Sequence, residues 1–599
     1  MPEAAGTGIK VVSVRVRNFR SLREVDVELS ALTLLVGENN AGKTSFLEAL
    51  FSAIGAGRRT FTSDDVYIGP NEQSAPRDRE IIVDILVRPT DAAGKVIATF
   101  PEGSYWLQLW GNGVAQDIQE EFDFVAVRTK MAWNPTRNEH YIRRQFLLDW
   151  AAPEKWHEAK VKDGDVGNNQ LEPLALHFLD AQRDLNGEFS NRGSYWYRLI
   201  SEPGLSPDLV KKLEEDLTSL NESIIQGSPV LDHIGKHLGD LYQTVSCERE
   251  SISITPLPRH LRDLSRGMDV QFGTRGAATL PLARHGMGTR SLAAILVFRA
   301  YCAWRMQAVE VMHPMLALEE PEAHLHPQAQ RAMMQQIHQM PGQRLVSTHS
   351  PFIVAHTDIT DFRVFRKAGA DTVVTSMPQD TWTADEKEKV NRKVTATRGE
   401  ILFARAVIYF EGETEEFALP VFAETYWHDH PSALGVTMVN VGGDAAYRPF
   451  LRLAKCFGIP WFIFSDGEPG ARENVRQSLV DLGEPEDSPR VFTIPDGKNF
   501  ETYLADLYPQ ELRDMVINQR AQSPQHRQAL TTEYAAPTNL AEAVKNEMST
   551  AKASYGRYAA EAICSIGDPV RRTPGLIANL FQAVDAELRP PPAPLEVSA

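Results

Sequence analysis

The chain is poor in cysteine. Its four cysteines, Cys247, Cys302, Cys456 and Cys564, lie far apart in 599 residues. That spacing offers neither a disulfide framework nor a CxxC metal site, and it suits a reducing cytosol. The sequence also lacks any apolar run near the ~18–20 residues that span a bilayer, so no membrane contact is expected. The first residues, MPEAAGTGIK, hold no apolar segment behind a basic one. No secretory leader is expected, and the chain reads as cytoplasmic. Basic charge is short as well, with a formal net charge of −17. A protein that grips DNA over its whole surface would be basic. Any nucleic-acid contact must therefore use a local basic groove or a metal-bridged phosphate. No internal repeat is visible.

What remains is ordinary for a globular protein: 43% hydrophobic and 24% charged residues. The length fits about three to five domains or large insertions. KVVSVRVRNFRSL and VDVELSALTLLVG alternate and read as strands, and SFLEALFSAIG reads as a helix. REIIVDILV, SYWLQLWG and EFDFVAVRT are expected to be further strands of a β-rich lobe over about 79–145. PDLVKKLEEDLTSLNESII and PVLDHIGKHLGDLYQTV have apolar residues at helical spacing. They make 156–262 a helical insertion, with dimerisation as its expected role. Strand-helix alternation returns in 263–395 and ends in a charged linker, TADEKEKVNRKVTATRGE. A second α/β rhythm fills 400–585, and a proline-rich tail over 586–599 is expected to be disordered.

The stretch GENNAGKTS follows an apolar strand and opens a helix. Gly37, Gly42, Lys43 and Thr44 fit G-x-x-x-x-G-K-[ST], with Asn40 and Ser45 in and beside the loop. Backbone N–H groups of such a loop wrap phosphate, Lys43 reaches the β- and γ-phosphates, and Thr44 binds Mg2+. MLALEEPEAHLHP ends a strand in Glu319, which can support the Mg2+ shell, and Glu320, which can orient and deprotonate water. His324 and His326 could alternatively form an H-x-H metal pair. His349 in RLVSTHSPF is placed to touch a γ-phosphate, and Gly286 and Gly288 in RHGMGTRSL open a helix that can face an anion.

This order, a P-loop, a long insertion, a glycine-rich helix start, EEPEAHLHP and STHS, resembles the ATP-binding-cassette ATPases of the RecF and SMC type. The resemblance covers about 1–155 and 265–370 and implies a site completed across a dimer. It departs in having Glu319 where that family has aspartate, and GMGTR where it has Ser-Gly-Gly-Gln.

The second α/β rhythm carries acids at strand ends. AVIYFEGETEE supplies Glu411 and Glu415, WFIFSDGE supplies Asp466 and Glu468, and NFETYL supplies Glu501. Adjacent parallel strands would gather them at one end of a sheet. Hard oxygen ligands without a partner cysteine suit Mg2+ or Mn2+. Such a set can hold two ions about 4 Å apart for phosphodiester cleavage. Lys552 is the candidate cation for the phosphate, with Lys545 as its competitor.

EG, then NVGG with Gly442 and Gly443, then SDGE resembles the Toprim domain of topoisomerases, primases and nucleases; here Asp466-Gly467-Glu468 replaces Asp-x-Asp. The pairing of both parts resembles the OLD (overcoming lysogenization defect) nucleases, which include the ATPase-nuclease component of Gabija antiphage systems. That resemblance implies an α/β chain: an ABC-type ATPase in 1–155 and 263–395, then a Toprim nuclease domain in 400–585. It also implies an ATP-regulated, two-metal DNA endonuclease, a homodimer or higher oligomer, a helicase-like partner, and antiphage defence or DNA processing. Two alternatives stay open: a RecF/SMC-like DNA-binding ATPase with a non-catalytic Toprim, and an RNA-cleaving Toprim effector. A topoisomerase would need a nucleophilic tyrosine, and nothing marks Tyr503 or Tyr555 as one.

Overall fold

The computed structural model describes residues 8–55, 61–117, 121–174, 176–179, 205–228, 271–272, 280–281, 284–307, 312–378, 382–442, 447–535 and 537–589. The chain divides into two compact units, Met1–Thr33 with Thr44–Ser347, and Leu34–Lys43 with Thr348–Ala599.

An antiparallel sheet organises the first unit. Its strands run in the order Leu22–Glu28, Gly8–Phe19, Ile81–Thr90, Phe122–Asn134 and Ala115–Asp117, and Glu139–Phe146 also pairs with Phe122–Asn134. Ile81–Thr90 lies in the middle and is buried along almost its whole length. That is why IIVDILV reads as a nearly continuous apolar run. The polar break in it, Asp84, opposes Arg128 in register. Arg128 donates from Nε and Nη2 to the two Asp84 oxygens at 2.8 and 2.7 Å, and also to the Trp156 carbonyl at 2.8 Å. Asp84 is 1% exposed. Burial pushes its carboxyl up, and the guanidinium pulls it back down.

SYWLQLWG is not a strand. Tyr105–Trp110 is a helix, capped by the Ser104 hydroxyl, which accepts from the Leu107 N–H at 3.3 Å. Trp106 and Trp110, one turn apart, stack at 5.1 Å and are both buried. In a stretch this short, aromatic pairing at i, i+4 is easily mistaken for alternation.

The first unit also holds three parallel strands, with Met315–Glu319 paired to Leu176–Leu179 on one side and Gln343–Ser347 on the other. Met287–Gln307 and Pro327–His338 are helices. Most of the expected helical insertion, residues 180–204 and 229–270, lies outside the described residues; Pro207–Gly227 is a helix, as its apolar spacing requires.

In the second unit, Leu34–Gly37 pairs in parallel with Phe362–Ala368, which pairs antiparallel with Asp371–Ser376. The stretch expected as a charged linker is helical. Thr383 and Glu386 form a capping box on helix Ala384–Val390, and Val390 and Val394 are buried. Two valines among many charges are enough to fix one face.

The carboxy-terminal part is built on four parallel strands in the order Val436–Asn440, Ala406–Phe410, Trp461–Ser465, Val491–Thr493. The two central strands, AVIYF and WFIFS, are buried at every position. Continuous apolar runs are the mark of such doubly covered parallel strands. Helix Glu413–Trp427 follows the first of them, and further helices fill Phe500 to Leu588. Helix Lys552–Cys564 lies against helix Glu413–Trp427. At Gly556 a Cβ would stand 2.6 Å from the Thr414 carbonyl oxygen, so only glycine allows this approach. Helix Gly575–Leu588 closes the described chain, and residues 590–599 of the expected tail lie outside it. Among the described residues no helix is long and apolar enough to cross a membrane.

Removing one member of the Asp84–Arg128 pair leaves a buried charge without compensation. Arg128→Ala is expected to destabilise the first unit by about 3–5 kcal/mol. Joint replacement, Asp84→Leu with Arg128→Met, is expected to recover most of that loss. Thermal unfolding of the three proteins checks both; equal melting of parent and Arg128→Ala would refute the assignment.

Candidate active site

The acids sit where the central strands of the parallel sheet end. Glu411 follows Phe410, and Asp466 follows Ser465. The pairing Tyr409 to Ile463, continued by two residues, sets Glu411 level with Ser465. Glu415 is in the first turn of the Glu413–Trp427 helix, and Glu501 in the first turn of helix Phe500–Leu507. Glu415 and Glu501 are each 4% exposed, whereas Glu468 is an exposed N-cap of helix Pro469–Val480.

These groups act on one another. Burial first, then the charges of Asp466 and Glu501, push Glu415 up to about 8; Lys552 pulls it back. Burial, then Glu501, Glu468 and Glu411, push Asp466 up to about 7, against the Phe500 N–H at its carboxylate. Burial alone raises Glu411. Glu501 accepts from the Thr414 hydroxyl at 2.6 Å, and its Oε1 lies 3.5 Å from the Lys552 ammonium. Of the two candidate lysines it is Lys552 whose Nζ stands at the acids. Tyr503, one possible nucleophile, is buried in the hydrophobic core.

The donor set fits divalent cations in charge and in chemistry. Glu411 Oε1 and Asp466 Oδ1 are buried without a hydrogen-bond partner, as oxygens waiting for a cation would be. The geometry is open, however. Among the described residues no three acids close on one point. Glu415 is turned back over Gly412, where a Cβ would stand 2.0 Å from its Oε2. Glu415 thus points back at the turn ahead of its own helix.

Three groups at this site have no place in the sequence reading. Thr414 holds Glu501 across 87 residues. Asn440 donates to Glu416 Oε2 at 2.9 Å and to the Gly412 carbonyl at 3.4 Å. Tyr447 is fully buried, and Glu411, Glu415 and Asp466 all act on its hydroxyl. Asn440 stands two residues before the noted Gly442 and was within reach of that signal; Thr414 and Tyr447 carry none.

The phosphate-type loop has positive φ at Gly37 (135°), Asn40 (62°) and Gly42 (101°). Lys43 is buried and folds over its own loop, donating to the Gly37 and Glu38 carbonyls at 2.9 and 2.8 Å. In the first unit the Thr44 hydroxyl donates to Glu319 Oε1, and the Ser45 hydroxyl lies 3.3 Å from that of Ser21. Glu320 has φ of 41° and donates its N–H to the Ser347 carbonyl at 2.9 Å. His326 Nδ1 accepts from the Ala329 N–H at 3.3 Å and so caps a helix, and His324 has φ of 65°. In the second unit His349 is half-buried, with its ring 6.0 Å from Phe403.

A chain of contacts within the second unit runs from this loop to the acids. Glu38 Oε2 lies 3.6 Å from Arg405 Nε. Arg405 immediately precedes the strand that ends at Glu411. Arg366 donates to the Ala404 and Arg405 carbonyls at 2.8 and 3.1 Å.

The raised acids set a pH dependence. Between the ordinary carboxylate range and about 7 to 8, the folded chain holds protons on Asp466 and Glu415 that the unfolded chain releases. Stability therefore falls as pH rises through this window. In EDTA the melting temperature is expected to drop from pH 6 to pH 8, and Glu415→Gln to flatten that slope. Melts at several pH values check it; an unchanged slope in the variant would count against Glu415 as the source.

Residues 402–467 match the family described as overcoming lysogenization defect protein-like, TOPRIM domain, and residues 10–70 and 151–354 match the AAA ATPase domain family. The OLD nuclease of Thermus scotoductus is 24% identical over 487 residues, which cover 76% of this chain and 81% of that protein. Among solved structures, the C-terminal region of the Burkholderia pseudomallei OLD protein is 23% identical, covers 31% of this chain and 99% of its own, and has a TM-score of 0.25. The SMC head domain from Thermotoga maritima is 10% identical, covers 62% of this chain and 99% of its own, and has a TM-score of 0.29. An AAA-type ATPase part and an OLD-like TOPRIM part thus occur in one α/β chain, which over most of its length is similar to an OLD nuclease.

Proposed function

We propose that the protein is an ATP-regulated endonuclease that nicks or cleaves DNA with two divalent cations, Mg2+ or Mn2+. Glu411, Glu415, Asp466, Glu468 and Glu501 would hold them. The observation that carries this reading is the crowding of Glu415, Asp466 and Glu501, buried together with the ammonium of Lys552 beside them. Like charges so placed need protons or cations to persist. Bound there, divalent cations would polarise a phosphate and lower the pKa of a water. Lys552 is 45% exposed, so its ammonium can meet a phosphate arriving from solvent. Thr414 fixes Glu501, and the Phe500 N–H fixes Asp466.

In the same proposal ATP with Mg2+ occupies the loop of Gly37, Asn40, Gly42, Lys43, Thr44 and Ser45. Thr44 and Glu319 serve the cation, Glu320 orients water, and His349 answers to the γ-phosphate. Lys43 would exchange the Gly37 and Glu38 carbonyls for phosphate oxygens. Glu38 would feel that exchange and pass it through Arg405 to the strand that carries Glu411. This route supports regulation of cutting by nucleotide. A homodimer, a helicase-like partner and a cytoplasmic role in antiphage defence or DNA processing belong to the proposal through the family alone.

Purified protein is expected to nick or linearise supercoiled plasmid with Mg2+ or Mn2+. Glu411→Ala should lower that rate at least 100-fold, while Lys43→Ala should keep cleavage and lose its response to ATP. No cleavage of plasmid by the parent with either metal, but cleavage of RNA, would replace DNA with RNA as substrate. Arg405→Gln is expected to retain ATP hydrolysis and ATP-free cleavage yet blunt the effect of ATP on cutting. An undiminished ATP effect in that variant would refute the Glu38–Arg405 route.

A further inference from the structure

Tyr447 opens helix Tyr447–Cys456, the helix that follows the edge strand of the parallel sheet. Phe450, Leu451, Leu453 and Ala454 of the same helix are buried, and Arg448, Arg452 and Lys455 pair with acids outside it, so the helix is fixed without the Tyr447 hydroxyl. A phenylalanine would pack as well as Tyr447 and bring no polar atom inside. The hydroxyl therefore needs a reason. It is fully buried and meets no partner at good hydrogen-bond geometry, the Ser465 side chain being the one neutral polar group that acts on it. Glu411, Glu415 and Asp466 are the charged groups that act on it, Glu411 most strongly.

Two of those carboxylates are in the same condition. Glu411 Oε1 and Asp466 Oδ1 are also buried and also unpartnered. A donor and two acceptors are thus desolvated, and the charges of both carboxylates act on the phenol. Interiors rarely tolerate this, because each unmade bond costs stability. Burial and the surrounding carboxylates keep the phenol protonated, so it can only help as a donor. Its best acceptor is Glu411, which makes no side-chain hydrogen bond among the described residues, whereas Asp466 already has the Phe500 N–H.

We propose that Tyr447 is a positioning residue of the metal site, its hydroxyl donating to Glu411 Oε1 when cations gather the acids. The bond fixes the rotation of the Glu411 carboxylate and leaves Oε1 a second lone pair for a cation. It rests on the metal-dependent nuclease reading above. Groups that hold a ligand's other side in this way change metal affinity by about 10–100-fold.

The test is Tyr447→Phe in the full chain, which removes one oxygen and keeps the ring. Mn2+ binding is measured by calorimetry, melting temperature with EDTA and with Mn2+, and plasmid cleavage over a range of Mn2+ concentrations. The variant is expected to melt in EDTA at or above the parent temperature, yet gain less from Mn2+. Its Mn2+ affinity should fall about tenfold, with the rate restored at saturating Mn2+. Parent-like Mn2+ affinity in the variant would overturn the role of Tyr447 alone. Equal losses of melting temperature with and without Mn2+ would also overturn it, since the hydroxyl would then be structural. If the parent itself takes up no Mn2+, the metal reading falls and this inference with it.

Discussion

Burying like charges together is the constraint on which the rest of this molecule turns. Two unit charges 4 Å apart near a protein surface repel by about 4 kcal/mol. A hydrogen bond to a charged group returns about 1.5–3 kcal/mol. The Thr414 hydroxyl and the Phe500 N–H therefore cannot by themselves hold Glu415, Asp466 and Glu501 together as anions. Glu415 and Asp466 resolve the conflict by holding protons, as burial and their neighbours' charges favour, or by accepting cations. The surrounding fold keeps both options available. Parallel strands deliver Glu411 and Asp466 side by side, Gly412 leaves room for the Glu415 carboxylate, and Lys552 supplies a single positive charge.

How much of this was legible beforehand follows from the range of each signal. GENNAGKT, EG and SDGE are local: a polar turn ending an apolar strand is visible within ten residues, and all three lie where the sequence puts them. Strand order and register are not local, so the meeting of Glu411 with Asp466 could be expected but not measured. Thr414, Tyr447 and Gly556 were invisible because each owes its place to a partner far along the chain. The misreadings have a similar cause. SYWLQLWG hides a helix behind aromatic residues at i, i+4, and the charged stretch before residue 400 hides one behind two buried valines among many polar residues. The six helices after residue 500 cover the sheet and make most of its core, yet they enter the sequence reading only through single residues such as Glu501 and Lys552.

The contacts between the phosphate-type loop and the acid cluster differ in strength. The Glu38–Arg405 pair is partly exposed, and pairs of that kind contribute about 0–1 kcal/mol. It cannot store much energy. The Arg366 bonds to the Ala404 and Arg405 carbonyls are the firmer element, because they fix backbone just ahead of a fully buried strand. The side-chain contact is thus the weak link of this path, and the backbone-anchored strand its stiff part.

The close approach at Gly556 has a consequence for how the protein is made. The acids lie between residues 411 and 501, but the ammonium beside them comes from residue 552, on a helix that seats against Thr414 only because residue 556 has no side chain. Synthesis runs from the amino terminus, so the sheet and its carboxylates leave the ribosome before that helix exists. A nascent or truncated chain has the acids without their positive partner and without the helix that covers them. The acid cluster is therefore complete only once the helix of Lys552 has been made and has seated on Thr414, later than the strands it covers.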